Sequence, residues 1–449
     1  MKVLIIAHGH PTINVGGGEK AAYILFNRFR VTPGVQAYFL GRAEEISEKN
    51  WTHISAYPGK RNEYFLHTSM ADYFNMSSVR PEKVAAFTEF LQAINPDVIH
   101  FHHYIHLGIE LIQVARSVCP DAKVAITLHE YIALCNRDGQ MIKTGGDKLC
   151  YESNPLDCSM CFPKKSPGDF FLRENYIKLF LKKADAFVVP SRFLMQRYVN
   201  WGLPEDRMVF IPYGAELELL KPKSETPLSN DERCNVFGFF GQINNYKGVD
   251  VLVSAVEHMS KAERKQIQVE IFGNLSAGLS PERREYIESA FKKYSSTIRF
   301  NGPYQSVDMA RLIRRVDWVV TPSIWWENAP LVIDEAFASR KPVLCSNIGG
   351  MAEKVRDGID GVHFDVGNHR ALARKMLELA KDSAFYQTLK SNIAPPYDVS
   401  VIADRHIKLY GAIRSKDIKL SDLSMDGQSD YAKVSKNHTE RPQALTQDL

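Results

Sequence analysis

Short apolar runs that alternate with segments of helical periodicity constrain the fold of this chain more than any other feature. The first run occupies Lys2–Ala7 and is apolar from Val3 onward, as a strand buried on both faces of a parallel sheet requires. A glycine loop and a helical pattern follow it. Strands separated by helices predict crossover connections. The pattern predicts further strands at 98–101, 123–128 and 186–189, and helices at 84–94 and 108–118.

The alternation begins again after Asp231. Predicted strands lie at 236–240, 268–272, 297–300, 318–321 and 342–345, and predicted helices at 248–259, 281–294, 307–316 and 330–338. With 449 residues, the chain is longer than the ~250–300 residues at which one hydrophobic core stops growing. We therefore predict an α/β protein of two facing, Rossmann-like, doubly wound domains with a cleft between them.

Changes in composition set the predicted domain boundaries. The first domain spans residues 1–200 and carries a cysteine-bearing insertion at about 135–161, and the second spans 205–397. A polar segment at 221–232, rich in Pro, Ser and charge, reads as a surface connection. A helix at 398–414 is predicted to pack back on the first domain. Residues 415–449 are polar and nearly free of aromatic side chains, which is typical of a disordered tail.

Charge and hydropathy exclude several classes of function. The net charge is +4 and the basic residues form no dense patch, so we expect no nucleic-acid partner. The N-terminal apolar run is too short for a signal peptide, and no stretch approaches the ~18 apolar residues of a spanning helix. These features predict a cytoplasmic protein.

A segment at 169–185 mixes aromatic and aliphatic side chains with Arg173, Lys178, Lys182 and Lys183. Two interpretations stay open. The segment is either a core-facing helix with a solvated basic face, which we favour, or a helix that lies on an anionic membrane. The second interpretation would make the protein peripheral at the inner face of the membrane.

The most informative loop follows the predicted strand at 318–321. Pro330 suits the first turn of a helix, because the missing N–H costs nothing there. The amides around Asn328, Ala329, Pro330 and Leu331 then form a helix N-terminus that favours phosphate. Glu327 precedes this site and Glu335 follows it, so two carboxylates flank a candidate diphosphate site. The alternative is that both are solvated charges.

Three further groups have residue types suited to binding phosphate and sugar. The loop at 238–248 carries glycines, which let the backbone approach a phosphate, and Lys247 adds a positive charge. A glycine triplet that includes Gly17 and Gly18 opens the first predicted helix. His129 ends the strand at 123–128. Taken singly, these residues would more often be a capped turn, a simple loop and a structural histidine.

Together, these residues resemble those of the retaining family 4 glycosyltransferases, also called glycosyl transferases group 1, which have the GT-B fold. The resemblance covers roughly residues 1–414. Its most specific part runs from Ser323 to Gly350, where the family pattern of two glutamates separated by seven residues falls on Glu327 and Glu335.

The resemblance implies roles for the candidate residues. Glu327 would lie beside the donor sugar, Glu335 would bind the ribose hydroxyls, and His129 would lie against the transferred sugar. Lys247 would contact the diphosphate, while Gly17 and Gly18 would face the phosphate and the acceptor. The family has an arginine where this chain has Gln242, so one positive charge is missing from the implied diphosphate site.

No Asp-any-Asp motif occurs in the chain, so we expect no metal cofactor for catalysis. Cys135, Cys150, Cys158 and Cys161 fall within the insertion. Thiolate sets that end in a Cys-x-x-Cys pair often hold structural zinc. Structural zinc and unligated thiols stay open as alternatives. The histidines at 100, 102, 103 and 106 fit hydrogen bonding at the end of a strand better than a metal site.

The resemblance implies a retaining, metal-independent, hexosyltransferase-like enzyme. It would transfer a sugar from a nucleoside-diphosphate sugar to a hydroxyl of a carbohydrate or lipid-linked glycan, in polysaccharide or glycoconjugate biosynthesis. Two alternatives remain. One is a nucleotide-sugar epimerase of similar fold, and the other is a nucleotide-sugar-binding protein without transfer activity, which Gln242 favours.

Overall fold

The computed structural model describes residues 1–13, 16–44, 53–69, 72–78, 80–146, 148–220 and 234–425. These residues form two separate sheets, each flanked by helices. The strands are β1 Lys2–Ala7, β2 Gln36–Ala43, β3 Ile54–Ala56, β4 Glu63–His67, β5 Val98–Phe101, β6 Lys123–Thr127, β7 Ala186–Val189, β8 Met208–Phe210, β9 Val236–Phe240, β10 Gln268–Phe272, β11 Ile298–Gly302, β12 Trp318–Thr321, β13 Val343–Ser346 and β14 Gly361–Phe364.

The helices follow the strands in alternation through most of the chain. They are α1 Gly17–Arg30, α2 Pro81–Ile94, α3 Leu111–Val118, α4 Pro155–Cys161, α5 Pro167–Leu181, α6 Arg192–Asn200, α7 Leu217–Leu220, α8 Val249–His258, α9 Lys261–Arg264, α10 Pro281–Lys293, α11 Met309–Ile313, α12 Leu331–Ala338, α13 Gly349–Lys354, α14 His369–Leu379, α15 Ser383–Asn392 and α16 Val399–Ser415.

The first sheet has the strand order β3-β4-β2-β1-β5-β6-β7-β8. Its neighbours are parallel except at one edge, where β3 runs antiparallel to β4. The predicted crossover connections thus account for all neighbours but β3, a short edge strand that was not predicted and needs no helical crossover. The order reverses between β1 and β5, and a ligand site is expected at such a reversal, beyond the carboxyl ends of the strands.

The second sheet has the order β11-β10-β9-β12-β13-β14 and is parallel throughout. Relative to its first strand this is the 3-2-1-4-5-6 order of the Rossmann fold, and it reverses between β9 and β12. The prediction of two doubly wound domains is thus confirmed. Burial explains why the apolar runs located the strands, since Val3, Leu4, Ile5 and Ile6 are all 0% exposed.

Two glycines bring the loops at the ends of the second sheet into contact. Gly248 has φ 71°, and a Cβ there would lie 1.8 Å from the Pro322 carbonyl oxygen. A Cβ on Gly350 would lie 1.4 Å from the Asn328 carbonyl oxygen. Any larger residue at either position would push these loops apart. The loops after β9, β12 and β13 therefore meet only because these positions are glycine.

The end of the described chain returns to the first sheet. On α16, Tyr410 is buried, and its hydroxyl lies 2.7 Å from Nδ1 of His100 in β5. The chain stays ordered beyond this helix, because Leu423 and Met425 are buried and the Met425 amide donates to the Phe210 carbonyl. The prediction of a disordered tail from residue 415 is wrong as far as Met425, because these side chains supply apolar surface. Residues 426–449 lie outside the described residues.

Other predicted limits also need correction. Strand β8 pairs with β7, so the first sheet extends beyond the predicted limit at residue 200. A short strand of three residues is hard to recognise from alternation alone. The helix predicted at 307–316 is a 3-10 turn followed by the short α11. The predicted connection at 221–232 lies outside the described residues.

Candidate functional site

The carboxyl ends of β9 and β12 face those of β1 and β6, and the candidate residues gather between them. Glu327 lies on the loop after β12 and is 6% exposed. Its Oε1 accepts from Lys247 Nζ at 2.6 Å, from Ser323 Oγ at 2.8 Å and from Trp325 Nε1 at 2.9 Å. Burial alone would raise the pKa of Glu327, but the Lys247 charge and these hydrogen bonds outweigh it and lower the pKa. The group is thus a buried, ionised carboxylate.

Glu335 lies in the second turn of α12, on the opposite side of that helix's N-terminus from Glu327. Its Oε1 accepts from Lys20 Nζ at 2.8 Å, and Lys20 belongs to α1 of the first sheet. The Lys20 side chain is 29% exposed and the Glu335 side chain is 15% exposed. This ion pair crosses the cleft, so Glu335 points at the space between the two sheets.

The N-terminus of α12 lies between these two carboxylates. Leu331 is its first helical residue, whereas Pro330 has φ −60° and ψ 120° and precedes the first turn. The predicted start at Pro330 is therefore one residue early. At the N-cap the fixed φ of proline still suits the entry into the helix, and its missing N–H costs no helical hydrogen bond. Asp334 in the first turn is buried and pairs with Lys354 Nζ at 2.5 Å. Ala329 and Leu331 flank Pro330 at this helix end.

Asn328 makes contacts that the sequence did not indicate. Its Nδ2 donates to the His129 carbonyl at 2.9 Å, and its Oδ1 accepts from Ser191 Oγ. Its side chain thus joins the two sheets. The residue belongs to the site, but its side-chain bonds are to protein.

His129 lies just beyond β6 and faces the glycine loop of α1. A Cβ on Gly18 would lie 3.4 Å from the His129 ring, whereas Gly17 has open space around it. Burial, together with the nearby His8, lowers the pKa of His129 to about 3, so its ring is neutral. The Tyr213 hydroxyl lies 2.6 Å from Nδ1 and His102 Nδ1 lies 3.1 Å from Nε2.

These contacts engage both nitrogens of the neutral ring. Nδ1 of His129 is bonded to the Tyr213 hydroxyl and Nε2 to Nδ1 of His102, and the tautomer of the ring decides which atom donates in each bond. The Tyr213 ring also stacks on His129, with centroids 5.6 Å apart. His129 is thereby held in one orientation beside the glycine loop. His100 also bonds to Thr127, as the hydrogen-bonding interpretation of the histidine cluster predicts.

The loop after β9 places one of its two candidate residues in the site. Lys247 pairs with Glu327, and its backbone amide donates to Asn244 Oδ1 at 3.0 Å. The Gln242 side chain is exposed at the edge of the same loop. The residues that the structure brings together at the cleft are Gly17, Gly18, His129, Lys247, Glu327, Asn328, Ala329, Pro330, Leu331 and Glu335.

Trp326 connects this loop to the cysteine-bearing insertion, a contact that sequence reasoning missed. The side chain is 6% exposed, and its Nε1 donates to the Cys150 carbonyl at 3.0 Å. Its ring stacks on Phe193, with centroids 5.1 Å apart, and meets Tyr151 edge-on at 5.2 Å. The Arg197 guanidinium lies 4.9 Å from the same ring. The residue next to Glu327 is thus anchored on the first half of the chain.

Glu353 makes a further contact between the second half of the chain and the first. Its two carboxylate oxygens accept from the backbone amides of Arg192 and Phe193, each at 2.8 Å. These amides open α6, whose N-cap is Ser191. A carboxylate at a helix N-terminus is favoured by the helix dipole. Lys20, Tyr213 and Trp326 were not predicted as site residues, because each contacts a residue distant in the chain. Lys20 and Trp326 do so across the cleft, and Tyr213 does so within the first domain.

The four cysteines of the insertion line one small cavity. None forms a disulfide. Burial raises the pKa of Cys135 to about 11 and also raises that of Cys150, whose thiol donates to the Glu152 carbonyl at 3.1 Å. In the described parts of the chain, no three His, Cys, Asp or Glu side chains are arranged as a metal-ligand set. The thiols Cys135, Cys150, Cys158 and Cys161 are gathered, but zinc stays a prediction.

Helix α5 confirms part of the interpretation of segment 169–185. Phe170, Ile177 and Leu181 are buried, so one face packs on the core. The outward face is not simply basic, because Phe171, Leu172 and Leu179 are 59%, 67% and 57% exposed. Within the described ranges, no helix has both the length and the apolar character to cross a membrane.

Two family models together match most of the chain. The Glycosyltransferase Family 4 model matches residues 34–219, and the model described as Glycosyl transferases group 1 matches residues 221–394. The chain therefore belongs to the group 1, or family 4, glycosyltransferases, which have the GT-B fold.

Individual relatives share only part of their sequence with this chain. D-inositol 3-phosphate glycosyltransferase of Streptomyces bingchenggensis is 32% identical over 206 residues, which are 43% of this chain and 45% of that protein. Lipopolysaccharide 1,2-N-acetylglucosaminetransferase of Salmonella typhimurium is 28% identical over 233 residues, which are 47% of this chain and 60% of that protein. The chain thus spans about half the length of the curated relatives it matches.

Solved structures support the fold over nearly the whole chain. Sucrose-phosphate synthase of Thermosynechococcus elongatus has a TM-score of 0.69 at 18% identity and covers 93% of this chain and 100% of its own. Anabaena HepE in complex with UDP and glucose has a TM-score of 0.64 at 16% identity, over 92% and 100% of the two chains. At this level of identity the similarity concerns the fold.

Proposed function

We propose that this protein is a retaining glycosyltransferase that moves a sugar from a nucleoside-diphosphate sugar to a hydroxyl of a carbohydrate or lipid-linked glycan. The observation that carries the proposal is the pair of carboxylates around the N-terminus of α12. Glu327 is buried and ionised beside Lys247, and Glu335 faces the cleft. A helix N-terminus between them is a favourable place for a diphosphate.

The donor then has a defined orientation. Glu335 accepts from the ribose hydroxyls, the diphosphate lies at the N-terminus of α12 near Lys247, and the sugar extends towards Glu327 and His129. Because Glu327 is held by Lys247, Ser323 and Trp325, its charge is preorganised beside the reacting ring. Such a fixed charge stabilises developing positive charge without reorganisation.

Transfer with retention requires no protein nucleophile. The bond between the anomeric carbon and the diphosphate oxygen breaks, and a bond to the acceptor oxygen forms on the same face of the sugar. The proton of the acceptor hydroxyl passes to the departing phosphate oxygen. Neutral His129 has both ring nitrogens bonded to Tyr213 and His102, so its role is to position the sugar by ring contact.

The relatives suggest which donors to test first. HepE structures contain UDP or UDP-glucose, and the catalytic domain of Arabidopsis starch synthase IV was solved with ADP. UDP-sugars and ADP-sugars are therefore the first candidates here, with polysaccharide or glycoconjugate biosynthesis as the setting. No catalytic metal is proposed, because the chain has no Asp-any-Asp motif and Lys247 supplies charge at the phosphate position.

Donor hydrolysis and binding can be measured together to test this function. A thermal-shift screen of UDP, ADP and GDP should raise the melting temperature with one base, since ligands that bind the folded state stabilise it. Slow hydrolysis of the matching sugar nucleotide without acceptor supports an enzyme. Binding without any turnover would support the second candidate, a nucleotide-sugar-binding protein, which the exposed neutral Gln242 favours.

The cysteine cluster is proposed to hold one structural zinc ion. Cys135, Cys150, Cys158 and Cys161 line one cavity, and four thiolates are a ligand set that suits tetrahedral zinc. The ion would fix the segment that carries Cys150, whose carbonyl accepts from Trp326. Its role is therefore structural, at a distance from the reacting atoms.

The outward face of α5 is proposed as a peripheral membrane contact. Phe171, Leu172 and Leu179 are exposed on it, and Lys182 is exposed at its C-terminal end, whereas Lys178 is paired with Glu174. Apolar side chains beside a lysine suit an anionic lipid surface. Co-sedimentation with phosphatidylglycerol vesicles should fall in a Phe171→Ser, Leu172→Ser variant. Equal sedimentation of both proteins would contradict this contact.

A further inference from the structure

Lys20 is in an unexpected position for a lysine. It is the fourth residue of α1, in the first turn of a 14-residue helix. A positive side chain there is disfavoured by the helix dipole, which favours anions at this end. Lys20 is nevertheless partly buried and reaches across the cleft to Glu335, with Nζ 2.8 Å from Oε1. An anionic partner in the cleft offsets the unfavourable position.

The partner of Lys20 is the carboxylate that the proposed function assigns to the ribose. Lys20 Nζ donates to Oε1 of Glu335, one of the two carboxylate oxygens that would accept from ribose hydroxyls. In the free protein the lysine thus occupies space beside this carboxylate that a ribose would share or take. An ammonium group that yields this position to the ribose needs another anionic partner nearby.

The diphosphate is short of positive charge at this site. Gln242 is neutral and exposed. Lys247 divides its charge with Glu327, from which its Nζ lies 2.6 Å away. A diphosphate at the N-terminus of α12 would therefore face one shared lysine and the helix amides from the second half of the chain. A cation from the opposite side of the cleft would balance the ligand better.

We propose, building on the function above, that Lys20 is a donor-binding residue contributed by the first domain. When the ribose binds to Glu335, the ammonium group of Lys20 moves from Glu335 to the donor diphosphate. The same lysine thus has two partners in turn. In the free protein it covers Glu335. In the complex it supplies the charge that Gln242 does not.

Two other carboxyl groups near Lys20 bear on this exchange. Asp334 is already paired with Lys354 at 2.5 Å. Burial raises the pKa of Glu216, although the Lys20 charge acts in the opposite direction. A diphosphate carries more negative charge than either carboxyl group. It is therefore the strongest available partner for the released ammonium group.

The exchange predicts opposite effects of one substitution on two ligands. In Lys20→Ala, the ribose no longer competes for Glu335, so the affinity for the free nucleoside should stay equal or rise by up to about threefold. The nucleoside diphosphate loses a charge-assisted contact, so its Kd should rise by about tenfold. A lysine that merely bridged the two domains would not separate the two ligands in this way.

The experiment is isothermal calorimetry on the full chain with UDP, ADP and GDP and the matching nucleosides. Arg28→Ala is the matched control. Arg28 is exposed and lies two turns later on the same helix, and its substitution removes the same positive charge. Glu335→Gln is measured alongside to test the ribose assignment independently. Circular dichroism and melting temperature confirm that each variant is folded.

The outcomes separate this inference from the proposed function. The exchange is supported if Lys20→Ala loses affinity for the diphosphate but keeps or gains affinity for the nucleoside. Arg28→Ala should show neither effect. Unchanged or tighter diphosphate binding in Lys20→Ala, or equal losses for both ligands, overturns it while Glu335→Gln can still support the donor site. If the wild-type protein binds none of the three diphosphates, the proposed function fails and the inference fails with it.

Discussion

Trp326 Nε1 donates to the Cys150 carbonyl at 3.0 Å, and this bond ties the loop that carries Glu327 to the cysteine-bearing insertion. Trp326 is adjacent to Glu327 in the chain, so the position of the buried carboxylate depends on a surface provided by the other half of the molecule. An insertion that looks peripheral in the sequence is therefore part of the support for the site.

Trp326→Phe should weaken this support while keeping most of the stacking on Phe193. Loss of one hydrogen bond is worth about 1 kcal/mol, so KM for the sugar nucleotide should rise several-fold. Affinity for the free nucleoside, which contacts the second half of the chain, should change little. Steady-state rates and calorimetry measure the two effects.

Trp201→Phe is the matched control for that comparison. Trp201 is 7% exposed and packs on Tyr198 and Lys178, within the first half of the chain. It should lower stability without a specific rise in KM. Equal changes of KM in the two tryptophan variants would show that the Cys150 contact has no special role.

Elemental analysis of the purified chain should find about one zinc per molecule. Cys158→Ser or Cys161→Ser should lose the metal and lower the melting temperature, because structural zinc contributes directly to folding free energy. Cys119→Ser is the control, since Cys119 is buried away from the cluster. A metal-free preparation that is as stable as the zinc-loaded one would rule the zinc site out.

Transfer itself should survive chelation as long as the structural ion is retained. In the proposed binding mode, Lys20, Lys247 and the N-terminus of α12 would balance the diphosphate charge, so this mode needs no bridging cation. Initial rates in EDTA should therefore match those in Mg²⁺ or Mn²⁺. A rate that falls in EDTA and returns on addition of either ion would contradict this account.

Much of the fold was predictable, because strands buried on both faces must be apolar runs. The predicted limits of β1, β7, β9, β10 and β12 coincide with those in the structure. The strands β2, β3, β4, β8 and β14 were not predicted, whereas the edge strand β11 was predicted at 297–300. For example, β3 has three residues and intermediate or exposed side chains, so it has no continuous apolar signal.

The candidate site was predictable only within each half of the chain. Glu327, Lys247 and Glu335 lie on loops and a helix whose type follows from local sequence. Lys20 meets Glu335 across 315 positions of the chain. No local pattern encodes such a pair. It arises from how the two domains face one another, as does the contact of Trp326 with the insertion.

Gln242→Arg should restore charge at the loop after β9. The exposed position of Gln242 leaves room for a longer side chain, and a guanidinium binds phosphate oxygens in pairs. The Kd for nucleoside diphosphate should fall by about threefold to tenfold, with the nucleoside unaffected. Lys247→Ala should act in the opposite direction on the same ligand. Tighter binding of the nucleoside alone by Gln242→Arg would contradict the diphosphate assignment.

The central claim is that Glu327 and Glu335 bind opposite ends of the donor, and calorimetry combined with initial rates on two variants tests it most directly. Glu335→Gln should lower the affinity for the free nucleotide by roughly tenfold to a hundredfold, which corresponds to the ~1.5–3 kcal/mol of a charge-assisted contact. Glu327→Gln should bind the free nucleotide normally and lose turnover of the sugar nucleotide, because its charge acts mainly in the transition state. The account is contradicted if Glu327→Gln alone abolishes nucleotide binding, or if both variants bind and turn over like the wild-type protein.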